Sequence, residues 1–204
     1  MCGIAGFIAG RAQGAPRQID DIARSMSESL RHRGPDDDGV WIDPEAGIGL
    51  IHRRLSIVDL SPAGHQPMVS ADGRYVISYN GEVYSHEEIR PALTARGVSF
   101  RGHSDTEVML ESFVAFGVEP TLRRLIGMFA IALWDRRERT LTLMRDRLGI
   151  KPLYWAKFGD LFLFGSELKA LRSHPGWTPR IDRNAAASFM RHNYIPAPTR
   201  STKA

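Results

Sequence analysis

Apolar side chains recur along this chain with two different periods. Residues 3–9 are almost continuously apolar, as in a strand buried on both faces. Ile19, Ile22, Ala23, Met26 and Leu30 recur at three- and four-residue intervals and predict an amphipathic helix over 19–30. Pro35 and the aspartates 36–38 cannot continue it, so a polar loop is expected over 31–39, before strands near 40–42 and 48–52. Residues 75–79 alternate and carry β-branched side chains, predicting a strand that ends at Asn80-Gly81, a pair tolerant of positive φ. A helix is expected over 86–95. Another, capped by Ser104 or Asp105, runs through Val108, Met109, Leu110, Phe113 and Val114 to a stop at Gly117. Residues 128–134 and 140–145 alternate as strands joined by a charged turn, 153–156 and 161–164 extend the sheet, and 167–172 and 184–192 read as helices. Strands outnumber helices, which fall between groups of strands, an order that suits an α+β sandwich.

Length and composition narrow the picture. At 204 residues, 43% hydrophobic and 25% charged, the chain has material for one sizeable folded core. The polar tail with Pro196 and Pro198 reads as a linker, which divides the chain into a domain over 1–180 and the start of a linker over 181–204. No apolar run approaches the ~20 residues of a membrane span, and no signal peptide is visible, so no membrane partner is expected. One cysteine excludes an internal disulfide and fits a reducing, cytoplasmic setting. The net charge of +4 is scattered. Its densest groups, Arg31 with Arg33 and Arg53 with Arg54, lack interleaved aromatics, so no nucleic-acid partner is expected. The seven histidines are dispersed and no phosphate-binding glycine loop occurs, so no metal or nucleotide site is expected here.

Candidate chemistry gathers around Cys2. Removing Met1 would leave a thiol and an α-amine on one residue, and an α-amine titrates at about 7.7–8.0, near enough to neutrality to act as its base. A small buried hydrophobe opening a strand is the plainer alternative for Cys2. Hydrolysis of an amide by Cys2 further needs an oxyanion hole and groups that hold an amino acid. Arg54 can pair with an α-carboxylate in bidentate fashion, or simply with Asp59 on the surface. Asn80 and Gly81 can supply a side-chain amide and a backbone N–H to an oxyanion, or form an ordinary turn. Asp105 can neutralise an ammonium, cap its helix, or do both. The run 31–36, Arg-His-Arg-Gly-Pro-Asp, is densely charged without a spacing that defines a reaction.

Seven motifs in register carry a resemblance. Met-Cys-Gly-Ile-Ala-Gly at 1–6, Arg-His-Arg-Gly-Pro-Asp at 31–36, Arg-Leu-Ser-Ile-Val-Asp at 54–59, Asn-Gly-Glu-Val-Tyr at 80–84, Ser-Asp-Thr-Glu-Val at 104–108, Gly-Met-Phe-Ala at 127–130 and Arg-Asp-Arg-Leu-Gly-Ile-Lys-Pro-Leu-Tyr at 145–154 resemble the glutaminase domain of glutamine-hydrolysing asparagine synthetases. The resemblance implies an N-terminal-nucleophile hydrolase fold, a four-layer αββα sandwich of two mainly antiparallel sheets. It implies Cys2 as nucleophile and Asn80 and Gly81 as oxyanion hole. It implies L-glutamine as substrate, its carboxylate on Arg54, its ammonium on Glu82 and Asp105, and the backbone of Ile57 and Val58 lining the pocket. A C-terminal synthetase domain or separate synthetase subunit is the implied partner. ATP and magnesium would be needed only there, and a homodimer is among the expected assemblies. Two departures stand out: Ser85 replaces the Asn usual after the Tyr, and the chain ends at Ala204 before any Ser-Gly-Gly-Leu-Asp-Ser loop. Another amide-transfer system, or a non-catalytic module that binds an amino acid or a partner, would share much of this pattern.

Overall fold

A computed structural model of the chain describes residues 1–10, 16–56, 62–178, 180–195 and 202–203. The elements run β1 Gly3–Ile8, α1 Pro16–Ser29, β2 Asp37–Asp43, β3 Ile48–Arg54, a 3-10 turn Pro62–Gly64, β4 Met68–Val69, β5 Tyr75–Val83, α2 His86–Thr94, α3 Asp105–Phe116, α4 Val118–Arg124, β6 Gly127–Asp135, β7 Thr140–Arg145, β8 Tyr154–Phe158, β9 Leu161–Gly165, α5 Leu168–Arg172, β10 Arg180–Ile181, α6 Arg183–His192 and β11 Thr202–Lys203. One sheet has the order β2-β3-β1-β9-β8, a second β4-β5-β6-β7, and β10 pairs with β11. Every pairing among the described strands is antiparallel. Among the described residues, no helix is long and apolar enough to cross a membrane.

Three apolar clusters define four layers. Ala5, Phe7 and Ile51 from the first sheet pack with Ile19, Ala23, Met26 and Leu30 of α1 and Ala170 and Leu171 of α5. Tyr75, Ile77, Tyr79 and Val83 from the second sheet pack with α2 and α3 through Ile89, Leu93, Met109 and Phe113. Between the sheets lie Ile48, Leu50, Val76, Ala132, Trp134 and Phe164. Each large side chain fully removed from water here contributes about 1.5–3 kcal/mol of burial. The result is helix, sheet, sheet, helix, the α+β sandwich that the element order predicted.

The structure corrects the expected boundaries where sheet pairing overrides local preference. β5 does not end at Asn80-Gly81. Asn80 pairs with Ala130 and Gly81 with Phe129, and the strand continues to Val83. At Gly81 the neighbouring strand lies so close that a Cβ would run into the Met128 carbonyl and the Phe129 Cα, so this glycine serves close backbone approach and not a turn. β2 begins at Asp37, inside the expected loop. Asp37 and Asp38 stand opposite Arg54 and Arg53 on an edge strand, where charge is tolerated. Ser104, not Asp105, caps α3: its Oγ accepts from Glu107 N–H at 3.3 Å. The short α4 and β4 were not anticipated, being too brief to display a period.

Candidate functional site

The alternation of strand side chains decides which residues meet. On β1, Ala5 and Phe7 face α1, so Ile4, Gly6 and, one step before the strand, Cys2 share the face toward the second sheet. On β3, Ile51 and Arg53 face α1, where Arg53 donates to Ser27 and Glu28, leaving Ile48, Leu50, His52 and Arg54 on the inter-sheet face. On β5, Val76 and Ser78 point into the same gap, the Ser78 hydroxyl donating to the Ile51 carbonyl at 2.8 Å, and Asn80 and Glu82 follow in phase. At this end of the sandwich the inter-sheet layer changes from apolar to polar. A cavity of about 120 Å³ opens there, with Cys2, Arg54, Asn80, Gly81, Glu82 and Asp105 all on its walls. The structure therefore brings together every sequence-predicted site residue that it describes. Ile57 and Val58 lie outside the described residues.

The terminus is held firmly for so short a lead. Ile4 N–H donates to Ser166 Oγ at 3.0 Å and the Ile4 carbonyl accepts from Ser166 N–H at 2.8 Å. Arg33 Nε donates to the Cys2 carbonyl at 3.0 Å while its NH1 pairs with Glu167 at 2.9 Å. Glu167 also meets His32 and Lys169, at 2.9 and 3.2 Å. Burial opposes the charge of Glu167, but hydrogen bonds from Arg33, His32 and Lys169 outweigh it and hold the carboxyl at about 2. The half-buried Cys2 Sγ accepts from Leu55 N–H at 3.4 Å and lies 3.6 Å from the Leu55 carbonyl. The 31–36 run has no spacing in the sequence that defines a reaction. Here Arg33 fastens the backbone of Cys2, Gly34 lies against the Arg53–Arg54 backbone, and Asp36 accepts from Ser56 N–H at 2.8 Å. The cluster of arginines around a glycine was the signal, but its target 31 residues away was not readable.

Along β5 the outer edge is unusual. β4 pairs only with Val76 and Ile77, so beyond it side chains satisfy the backbone. Tyr79 N–H donates to Gln66 Oε1 at 2.7 Å, the Tyr79 carbonyl accepts from His52 Nε2 at 3.0 Å, and Val83 N–H donates to Asp105 Oδ2 at 2.9 Å. Backbone groups two residues apart point the same way, so the Gly81 N–H lies on this open edge between them. Asn80, 2% exposed, keeps its Nδ2 without an acceptor among the described residues. Both donors thus belong to residues on the wall of the cavity that Cys2 lines.

Asp105 opens α3, where a negative charge is favoured by the helix dipole, and also accepts from the Tyr79 hydroxyl at 2.7 Å. Burial, then the neighbouring Asp105, pushes that phenol well above its usual range, so it stays protonated and donates. Burial pushes His52 down to about 4 against the Tyr79 carbonyl that it bonds, so its imidazole is neutral at pH 7. Arg54, 8% exposed, lies against Gly64, where any Cβ would meet its guanidinium. Ser85 accepts from Ile126 N–H and donates to the Arg124 carbonyl, both at 3.0 Å, and is not on the cavity wall. Among the described residues, no three His, Cys, Asp or Glu side chains gather to hold a metal ion.

Comparison with known proteins adds kinship to this geometry. The profile of the glutamine amidotransferase domain matches residues 1–204. The chain is 42% identical over 192 residues to asparagine synthetase [glutamine-hydrolyzing] 3 of Bacillus subtilis (strain 168), covering 93% of this chain and 30% of that protein. It is 36% identical over 199 residues to asparagine synthetase [glutamine-hydrolyzing] 1 of the same organism, covering 98% of this chain and 31% of the relative. The chain thus spans less than a third of these relatives' length. Among solved structures it is similar in fold to glutamine phosphoribosylpyrophosphate amidotransferase from B. subtilis, with a TM-score of 0.67 at 22% identity, over 84% of this chain and 43% of that one. That likeness and the two antiparallel sheets agree with the N-terminal-nucleophile hydrolase fold.

Proposed function

Because the chain belongs to the glutamine amidotransferase domain family, we propose that its cavity hydrolyses L-glutamine to glutamate and ammonia, with Cys2 as nucleophile once Met1 has been removed. In this reading the Cys2 thiol proton passes to the residue's own α-amine, and sulfur bonds to the carboxamide carbon as the C=O electron pair moves onto oxygen. The Asn80 Nδ2–H and Gly81 N–H bind that oxyanion, each donor worth about 2.7–4 kcal/mol of barrier. The C–N bond then breaks, nitrogen takes the proton from the α-ammonium, and ammonia leaves a γ-glutamyl thioester. Water attacks the thioester carbon while the amine takes its proton, and the Cys2 sulfur departs and is reprotonated.

Arg54 holds the glutamine carboxylate, and Glu82 and Asp105 hold its ammonium. A single observation carries this assignment. An acceptorless amide, an open-edge N–H, a guanidinium and two carboxylates share one cavity with the chain's only thiol.

The length of the relatives supports a further step. The ammonia serves a synthetase segment or subunit that amidates aspartate, where any ATP and magnesium would be used; residues 1–180 form the glutaminase unit and 181–204 lead toward that partner. A reducing, cytoplasmic compartment suits a reactive free thiol. Intact mass should show Met1 absent, and glutamate release should be seen from glutamine in preference to asparagine. Replacing Cys2 by Ala should abolish release; undiminished turnover by a pure, folded C2A protein would overturn the assignment.

A further inference from the structure

The cavity contains a cation that the scheme above does not use. Lys151 is 6% exposed and lines the same cavity as Cys2. Its backbone is fixed on both sides: its N–H donates to Asp146 Oδ2 at 3.0 Å and its carbonyl accepts from Arg145 Nε at 2.6 Å. Asp146 is itself pinned, accepting also from Phe129 and Ile150 N–H groups, the first of which ties this loop to β6 at the pairing partner of Gly81. The backbone that carries the ammonium is thus hydrogen-bonded on both sides, and the side chain is enclosed.

What it touches is unexpected. Arg33, Arg53 and Arg74, also shielded, each reach a carboxylate at 2.7–2.9 Å. Lys151 has no carboxylate within 4.0 Å among the described residues; its side-chain hydrogen-bond contact among them is the thioether Sδ of Met1 at 3.8 Å. A thioether is a weak acceptor, and an ammonium removed from water without a counter-charge is costly. The methionine that occupies it is the residue whose removal the proposed mechanism requires.

We propose that Lys151 is a positioning residue of the nucleophile: when Met1 is removed, its ammonium faces the vacated space and takes the Cys2 thiolate as its counter-ion. This deepens the glutaminase reading and rests on it. A nearby cation favours the thiolate left when the thiol proton has passed to the α-amine. Of the other charged side chains on the cavity wall, Asp105 accepts from Tyr79 and Val83, and in the proposed scheme Arg54 meets the substrate carboxylate while Glu82 and Asp105 meet its ammonium. His52 is neutral.

The test compares Lys151→Met, which keeps length and removes charge, with Lys151→Arg, which keeps charge. Two readouts are taken at pH 7 on protein shown by mass to lack Met1: glutamine turnover, and the rate at which iodoacetamide alkylates Cys2. An opposite charge beside a thiol is worth about tenfold or more in thiolate population. K151M should therefore lose about tenfold in alkylation rate and in kcat with KM little changed, and K151R should recover most of both. Should K151M fail to fold, Lys151→Gln takes its place. A folded charge-free variant with wild-type alkylation and kcat overturns the proposal, as does retention of Met1 in the wild type. Slower alkylation in a protein that never hydrolyses glutamine would uphold the role of Lys151 and discard the glutaminase reading instead.

Discussion

Gly64→Ala isolates the proposed hold of Arg54 on the substrate carboxylate from everything else in the site. A Cβ at Gly64 would lie 2.8 Å from Arg54 Cζ and closer still to a terminal nitrogen, where ordinary contact is 3.4–4 Å; the three nearest atoms all belong to Arg54. The backbone of Gly64 is not in the left-handed region, so alanine itself is unstrained. The guanidinium end must therefore retreat by about 1 Å, a misplacement that can cost up to about 100-fold when it affects substrate positioning. Loss of a hydrogen bond to a charged group, about 1.5–3 kcal/mol, gives a similar figure, roughly 10- to 100-fold at about 1.4 kcal/mol per decade. In the proposed assignment Arg54 meets the substrate far from the breaking C–N bond, so the loss should appear as a rise in KM, with kcat within about threefold. Steady-state glutamate release over a glutamine series, with the melting temperature alongside, measures both. Unchanged KM in a folded G64A protein, or a loss confined to kcat, would refute the assignment of Arg54 to the carboxylate.

Asn80→Ala removes an acceptorless donor and should lower kcat by about 10²–10³ with little change in KM, the signature of a contact made only as the oxyanion forms; an equal loss in KM would point to ground-state binding. His52 sets an acid limit on stability. Its folded-state value of about 4 lies below the unfolded 6.5, so its neutral form stabilises the fold fully above pH 6.5 and the contribution falls away between pH 6.5 and 4, where the unfolded chain binds the extra proton. The gap corresponds to at most about 3 kcal/mol at 1.36 kcal/mol per pH unit. Urea titrations at pH 7.5 and 5 should show this slope in the wild type and a shallower one in His52→Gln; parallel slopes would remove His52 from the account.

Much of the layered fold is legible in the linear pattern because each sheet has one helix-covered face, and period-two and period-3.6 spacing report that burial directly. The strands over 128–134 and 140–145 and the helix over 19–30 show it. The chemistry of the site residues is equally legible: a lone Cys2, a guanidinium at 54, an Asn-Gly pair and Asp105 are types that few other jobs demand together. What the sequence could not decide was the path of the chain at Asn80-Gly81. Local preference favours a turn, but pairing with Ala130 and Phe129 makes it a strand interior, since ladder hydrogen bonds from a distant segment outweigh a weak dihedral preference. That continuation puts Asn80 in phase with Ser78, facing Cys2, and aims the Gly81 N–H along an edge where β4 has stopped. Arg33, Glu167 and Lys151 owe their parts wholly to tertiary structure. Their partners lie 31, 134 and 150 residues away; the pairing of β1 with β9 and the packing of α1 on that sheet join Arg33 to Cys2 and Glu167, and the packing of one sheet on the other brings Lys151 to Met1.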